Sequence, residues 1–137
     1  MDKITPTERS RPMARIGSKN TKLEMTVRSM VHRLGYHYRL HVKGLPGRPD
    51  MVFPGRRKVI FVHGCFWHWH NDLECRLARP PKSRRRYWIP KLKATRLRDE
   101  QYERDLRDAG WGVLVIWECR MKDTERLETD VRTFLEN

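Results

Sequence analysis

The stretch Asp50-Met51-Val52-Phe53-Pro54-Gly55-Arg56-Arg57-Lys58-Val59-Ile60-Phe61-Val62-His63 reads as a β-hairpin. Its two apolar runs, Met51–Phe53 and Val59–Val62, are rich in β-branched and aromatic side chains, which suit a pleated, buried surface. Pro54 and Gly55 supply the turn between them. Antiparallel pairing brings Asp50 and the Val62–His63 peptide to the same end of the sheet. A register that sets Phe53 opposite Lys58 also sets Asp50 opposite Phe61 and puts Asp50, Phe61 and His63 on one face. A slip of one residue would undo this.

Upstream of the hairpin, Gly44-Leu45-Pro46-Gly47-Arg48-Pro49 is a loop of chain breakers. Tyr36–Val42 alternates apolar and polar residues and predicts a half-buried strand. Before it, Leu23, Val27, Met30 or Val31, and Leu34 recur at helical spacing. Thr21-x-x-Glu24 has the form of a capping box and Gly35 is the stop. Residues 1–20 are basic and lack periodicity. They read as an arm that contacts a partner, with residues 21–137 as the folded domain.

Downstream, His63–Arg86 reads as an irregular segment rich in His, Trp, Cys and Arg. Pro90 suits the first position of a helix that runs to about Ala109, with Gly110 just past its end. Trp111–Glu118 reads as a strand. Its continuous apolar run, Val113–Ile116, predicts cover on both faces. Asp123 is the expected cap of a last helix with the stripe Leu127, Val131, Phe134 and Leu135. The fold class is therefore α/β, a single domain with a small mixed β-sheet flanked by helices.

Thirty Lys and Arg against 17 Asp and Glu give a net charge of +13 in 137 residues. An excess of that size favours a polyanion, because each neutralised phosphate releases counterions. Nucleic acid is the first candidate, DNA or RNA alike. No apolar run approaches the ~18 residues that span a bilayer, and Met1–Ser10 lacks the apolar core of an export signal. The expected setting is cytoplasmic. Three cysteines, an odd number without an export signal, argue against a disulfide framework.

The cysteines and histidines of the irregular segment suggest a metal centre instead. Cys65, His70, Cys75 and the more distant Cys119 would complete a tetrahedral Zn²⁺ site that ties the loop to the end of the C-terminal strand. Three ordinary buried cysteines are the alternative. Asp50 beside a backbone carbonyl is a hard-oxygen site suited to Mg²⁺. His63 and His68 nearby suit acid and base roles, because imidazole titrates near neutrality. Those are the parts that phosphodiester hydrolysis needs. Asp99 falls on the same helical face as Leu92, Thr95, Tyr102 and Leu106, where a carboxylate must be paired or used. It either supports a histidine or pairs with Arg96 or Arg98. Glu24 reads from pattern alone as the reciprocal partner in its capping box. Phe66, Trp67 and Trp88, flanked by Lys and Arg, suit insertion between base pairs, or else form a lid over the core.

The run Leu45-Pro46-Gly47-Arg48-Pro49-Asp50 with Val59-Ile60-Phe61-Val62-His63-Gly64-Cys65-Phe66-Trp67-His68 resembles the signature of the very-short-patch-repair (Vsr) DNA mismatch endonucleases. Tyr87-Trp88, Arg98-Asp99 and Gly110–Cys119 continue the likeness in order, as do Arg9–Met13 and Leu23-Glu24. The resemblance implies a restriction-endonuclease-like core with a structural zinc. It implies catalytic Mg²⁺ on Asp50 and the Val62 carbonyl, acid–base histidines at His63 and His68, support from Asp99, and Glu24 in or beside the active site. Phe66, Trp67 and Trp88 would enter the duplex, with Met13 of the arm approaching from the other groove. The implied reaction is a nick 5′ of the thymine in a T:G mismatch left by 5-methylcytosine deamination. The expected enzyme is monomeric, works at the bacterial nucleoid, and has host mismatch-repair proteins as possible partners.

Three positions depart from the family pattern. Asp72 stands where the family has a cysteine two residues after the zinc histidine, and Cys75 follows three residues later. Val62 replaces a threonine found in some relatives, and Thr95 replaces a common asparagine. Two other readings fit the residues themselves: a nuclease of related fold without mismatch specificity, and a non-catalytic, zinc-stabilised nucleic-acid-binding module.

Overall fold

The computed structural model describes residues 22–69, 75 and 82–137. The basic arm with Met13, the Thr21 half of the capping box, and both His70 and Asp72 lie outside the described residues.

Helix α1 spans Lys22–Arg33 and buries Val27, Met30 and Val31, the stripe expected from its periodicity. Gly35 ends it with φ +96°, a backbone state open to glycine. The hairpin forms as read. Strand β1 is Met51–Phe53 and β2 is Lys58–His63, joined by a 3₁₀ turn at Pro54–Arg56. The register pairs Met51 with Ile60, Val52 with Val59 and Phe53 with Lys58. Asp50 therefore arrives beside the end of β2.

Helices α2, Cys65–His68, and α3, Arg85–Asp108, precede strand β3, Gly112–Trp117. Strand β3 runs parallel to β2, from Lys58 opposite Gly112 to His63 opposite Trp117. Parallel neighbours need a long crossover, and α3 provides it. Strand order is β1-β2-β3. A 3₁₀ segment, Glu118–Lys122, leads to α4, Thr124–Glu136. The Asp123 carboxylate caps α4 by accepting from the Arg126 N–H at 3.1 Å.

Each face of the sheet is covered. Val27, Met30 and Val31 of α1 and Leu127, Val131 and Leu135 of α4 pack on Met51, Phe53, Ile60 and Val62. Leu106 of α3 packs on Val52, Val59 and Phe61, which alternate to the opposite face. Among the described residues no helix is long and apolar enough to cross a membrane.

Three expectations are corrected and a fourth is qualified. Tyr36–Val42 is not a strand; it makes a single bridge, Arg39 to Val52. Tyr36 is buried and Tyr38 and Leu40 pack on the core, so the alternation is satisfied without a ladder. His41, at φ 55°, then breaks the extended path. The segment after His63 is not wholly irregular, because Cys65–His68 forms one helical turn. Pro90 is not the first helical residue; α3 starts at Arg85, with left-handed Arg84 (φ 56°) as its cap. Pro90 leaves the Arg86 carbonyl without its helical donor, but both residues are exposed and water can serve. Finally, β3 packs on both cores, Leu114 and Ile116 on one face and Val113 and Val115 on the other, but only Ile116 is fully buried, because β3 is the edge strand among the described residues and β2 the central one.

Candidate active site

Asp50 precedes β1, and its Oδ2 accepts the Val62 N–H at 2.6 Å. That bond ties the carboxylate to the end of β2. Burial, followed by the Glu24 charge, lifts its pKa to about 7, against the pull of the Val62 N–H, His68 and Arg28. Glu24 is buried in the first turn of α1 and pairs with Arg28 at 3.2 Å. Its Thr21 cap partner is outside the described residues, but its carboxylate is close enough to act on Asp50.

His63 closes β2 and is 5% exposed. Its ring stacks on His68 with centroids 3.8 Å apart and planes at 4°. The Trp117 ring meets it edge-on at 5.1 Å. Burial, and after it His68, holds the His63 pKa well below the ordinary histidine value, so the imidazole is neutral at pH 7. Its Nδ1 has no hydrogen-bond partner among the described residues. The Nδ1 of His68 lies 2.5 Å from Asp99 Oδ2. Asp99 therefore pairs with a histidine, while Arg98 reaches Thr95. A carboxylate on Nδ1 sets the ring's orientation and tautomer, which leaves Nε2 for proton exchange.

Helix α2 spreads four consecutive side chains around a single turn, about 100° apart. Cys65 points to Cys119, whose N–H donates to its sulfur at 3.3 Å. Phe66 and Trp67 meet Trp88 at centroid distances of 5.4 and 5.9 Å. His68 turns to His63 and Asp99. The sulfurs of Cys65, Cys75 and Cys119 lie within 4.8 Å of one another. Sulfurs ~2.3 Å from one zinc ion stand about 4 Å apart in a tetrahedron, so the cluster fits that ion. Burial pushes the Cys65 and Cys119 thiols up, and a bound cation would favour their thiolates instead. The proposed fourth ligand, His70, is outside the described residues.

A profile of the DNA mismatch endonuclease Vsr family matches residues 1–75. The DNA mismatch endonuclease Vsr of Escherichia coli (strain K12) is 37% identical over 96% of this chain and 81% of its own. This chain belongs to the Vsr family. It is a DNA endonuclease, and thus a phosphodiester hydrolase. The type II nicking enzyme V.XorIIP of Xanthomonas oryzae pv. oryzae is 49% identical over 98% of this chain and 97% of its own. The type II nicking enzyme V.NmeAIP of Neisseria meningitidis is 38% identical over 96% of this chain and 94% of its own.

Three participants in the site were not found by reading the sequence. Arg28 pairs with Glu24 one helical turn away; its place beside Val27 and Val31 on the buried stripe was the available signal. Trp117 buttresses His63 from β3, a contact visible only once the parallel register is known. Glu118 accepts the Cys65 N–H at 3.3 Å and so anchors the start of α2.

Proposed function

We propose that this Vsr-family endonuclease nicks one strand of duplex DNA 5′ of the thymine in a T:G mismatch left by 5-methylcytosine deamination, and so begins very short patch repair. The observation that carries this reading is the convergence of Asp50 with the stacked His63–His68 pair and Asp99, beside the Phe66–Trp67–Trp88 cluster.

The donor set suits Mg²⁺. The Asp50 carboxylate and Val62 carbonyl are hard oxygens, and the raised pKa of Asp50 marks buried negative charge that a divalent cation would relieve. Bound there, Mg²⁺ supplies charge stabilisation at the phosphate. The chain's own groups move the protons: of His63 and His68, one accepts from the attacking water and the other gives to the leaving sugar oxygen. Asp99 orients His68. Glu24 adds negative charge beside Asp50. Phe66, Trp67 and Trp88 enter the duplex at the mismatch, and Met13 approaches from the opposite groove. Zn²⁺ on Cys65, His70, Cys75 and Cys119 fastens α2 to the end of β3; the meeting of Cys75 with the other two sulfurs favours it over Asp72. Helices on both faces of the mixed sheet suit a restriction-endonuclease-like core. We assign the enzyme to the bacterial cytoplasm, at the nucleoid, as a monomer that works with host mismatch-repair proteins.

The test is a nicking assay on two duplexes that differ only by a T:G pair in a cytosine-methylation context, with Mg²⁺ or EDTA, using the wild type and Asp50→Ala. A Mg²⁺-dependent nick 5′ of the mismatched T, absent in the variant, is the expected result. Equal cutting of the paired duplex would replace this reading with a general nuclease. Cutting by Asp50→Ala would remove Asp50 from the reaction.

A further inference from the structure

We propose that the His41–Asp50 loop and Arg28 form a cleft for backbone phosphates of the cleaved strand, on the side of the cut away from the aromatic cluster. The proposal rests on the reading of Asp50 as the cutting site. A cavity of about 540 Å³ opens beside Asp50, with Arg28, His41, Lys43 and Arg48 in its walls. Among the described residues of that lining, Asp50 is the one carboxylate. Cations on a solvated face would be scattered. Here they converge on a concave surface, and Arg28 among them is buried and held by Glu24.

The loop is built to keep this shape. His41 (φ 55°) and Arg48 (φ 50°) both hold left-handed backbone, which side chains with a Cβ rarely adopt, and both line the cavity. Such conformations persist where the surroundings enforce them, and they cluster at binding sites. Gly47 seats the loop against α3. It also has a left-handed backbone (φ 75°), and a Cβ there would stand 2.9 Å from the Tyr102 side chain of α3. Only glycine lets the loop lie this close to α3. The exposed Lys43 and Arg48 thus sit on a pinned loop, prearranged for an anion.

The occupant follows from position. Asp50 is a wall of the cleft and accepts the N–H of Val62, the neighbour of His63, whose ring stacks on His68. His68 shares its helical turn with Phe66 and Trp67, which face Trp88. The order is therefore aromatic cluster, histidines, Asp50, cleft. With the cluster at the mismatch and the cut 5′ of the thymine, the cleft meets phosphates 5′ of the cut. Phosphate contacts of this kind set register and carry no sequence information.

The experiment couples protein charge to single phosphates. Full-length wild type and the double variant Lys43→Ala/Arg48→Ala are titrated in Mg²⁺-free buffer with T:G duplexes that each carry one neutral methylphosphonate in the cleaved strand. In the wild type, neutralising one or two phosphates 5′ of the cut should weaken binding roughly five- to tenfold. In the variant, the same neutralisation should change binding less than twofold, and the slope of log K against log salt should fall by about 1–2. Equal penalties in both proteins at every position would overturn the cleft. So would coupling confined to phosphates on the mismatch side. Nicking of the unmodified duplexes by the wild type is scored in parallel, so a loss of mismatch specificity is seen separately from a loss of phosphate coupling. Both substituted residues are exposed, so the variant retains the core.

Discussion

Asp99 Oδ2 and His68 Nδ1 stand 2.5 Å apart although 31 positions separate them in the chain. Helix α3 presents the carboxylate, the single turn of α2 presents the imidazole, and His63 stacks against its ring. Asp99→Asn keeps the shape but not the charge. We expect it to lower the single-turnover nicking rate about 10- to 100-fold, within the range of general acid–base effects, with little change in DNA affinity. His68→Ala should cost at least as much. A normal rate in Asp99→Asn would mean that the pair is structural.

We expect the Asp50 carboxyl to make activity and stability move in opposite directions. In the folded protein without bound metal it keeps its proton to about pH 7, against an ordinary value of 3.8. Between those values the folded state binds more protons than the unfolded chain, so stability falls as pH rises through the window and the loss is complete above about pH 7. Asp50→Asn should abolish nicking yet raise the Tm of the metal-free protein at pH 8 by roughly 3–8 °C, with no gain at pH 4. Thermal melts at both pH values check this. An unchanged Tm at pH 8 would show that Asp50 is not under charge strain.

Trp67 and Trp88 touch each other and Phe66 at the surface, away from the two core clusters. Removing either ring should leave the fold almost as stable, with about 1 kcal/mol lost. The ratio of nicking at T:G to nicking at paired DNA should fall at least roughly tenfold, because insertion is the step that repays unstacking. Parallel assays on matched duplexes measure the ratio. Unchanged selectivity in both single variants would reduce the cluster to a hydrophobic lid.

Zinc should copurify at one equivalent per chain, as read by atomic absorption. Cys75→Ser, Cys119→Ser and His70→Ala should each lose metal and lower Tm, whereas Asp72→Ala should retain it. Chelation should reproduce the loss of stability. Because Cys65 opens the helical turn that carries His68, nicking should decline together with metal content. A metal-free protein with full activity would return the three cysteines to simple burial.

The sequence was most legible where structure is local. Helix α1 and helix α4 follow from apolar spacing, and the α4 start follows from Asp123, because caps and periodicity act within a few residues. The hairpin itself was legible, but its register was one choice that a slip could replace, and the structure fixes it with Phe53 opposite Lys58. Tyr36–Val42 misled because an alternating pattern marks which side chains face the core, and a chain can do that with one bridge instead of a ladder. Pro90 misled because proline near a helix start signals the first turn, and here exposure lets the helix begin five residues earlier.

By itself, the sequence pointed to a polyanionic partner through its charge, and determined that Asp50 meets the end of β2 and which residue types are available for chemistry. Adjacency along a hairpin needs no distant contact. Tertiary structure alone decided that Asp99 faces His68 rather than an arginine, that Trp117 backs His63, that Cys119 meets Cys65 and Cys75, and that Arg28 joins the loop at Asp50. The Trp117 and Cys119 contacts depend on the parallel placement of β3 against β2, and the Asp99 and Arg28 contacts on where their helices pack. Such contacts are set by burying apolar surface over the whole domain, a sum that no local pattern records.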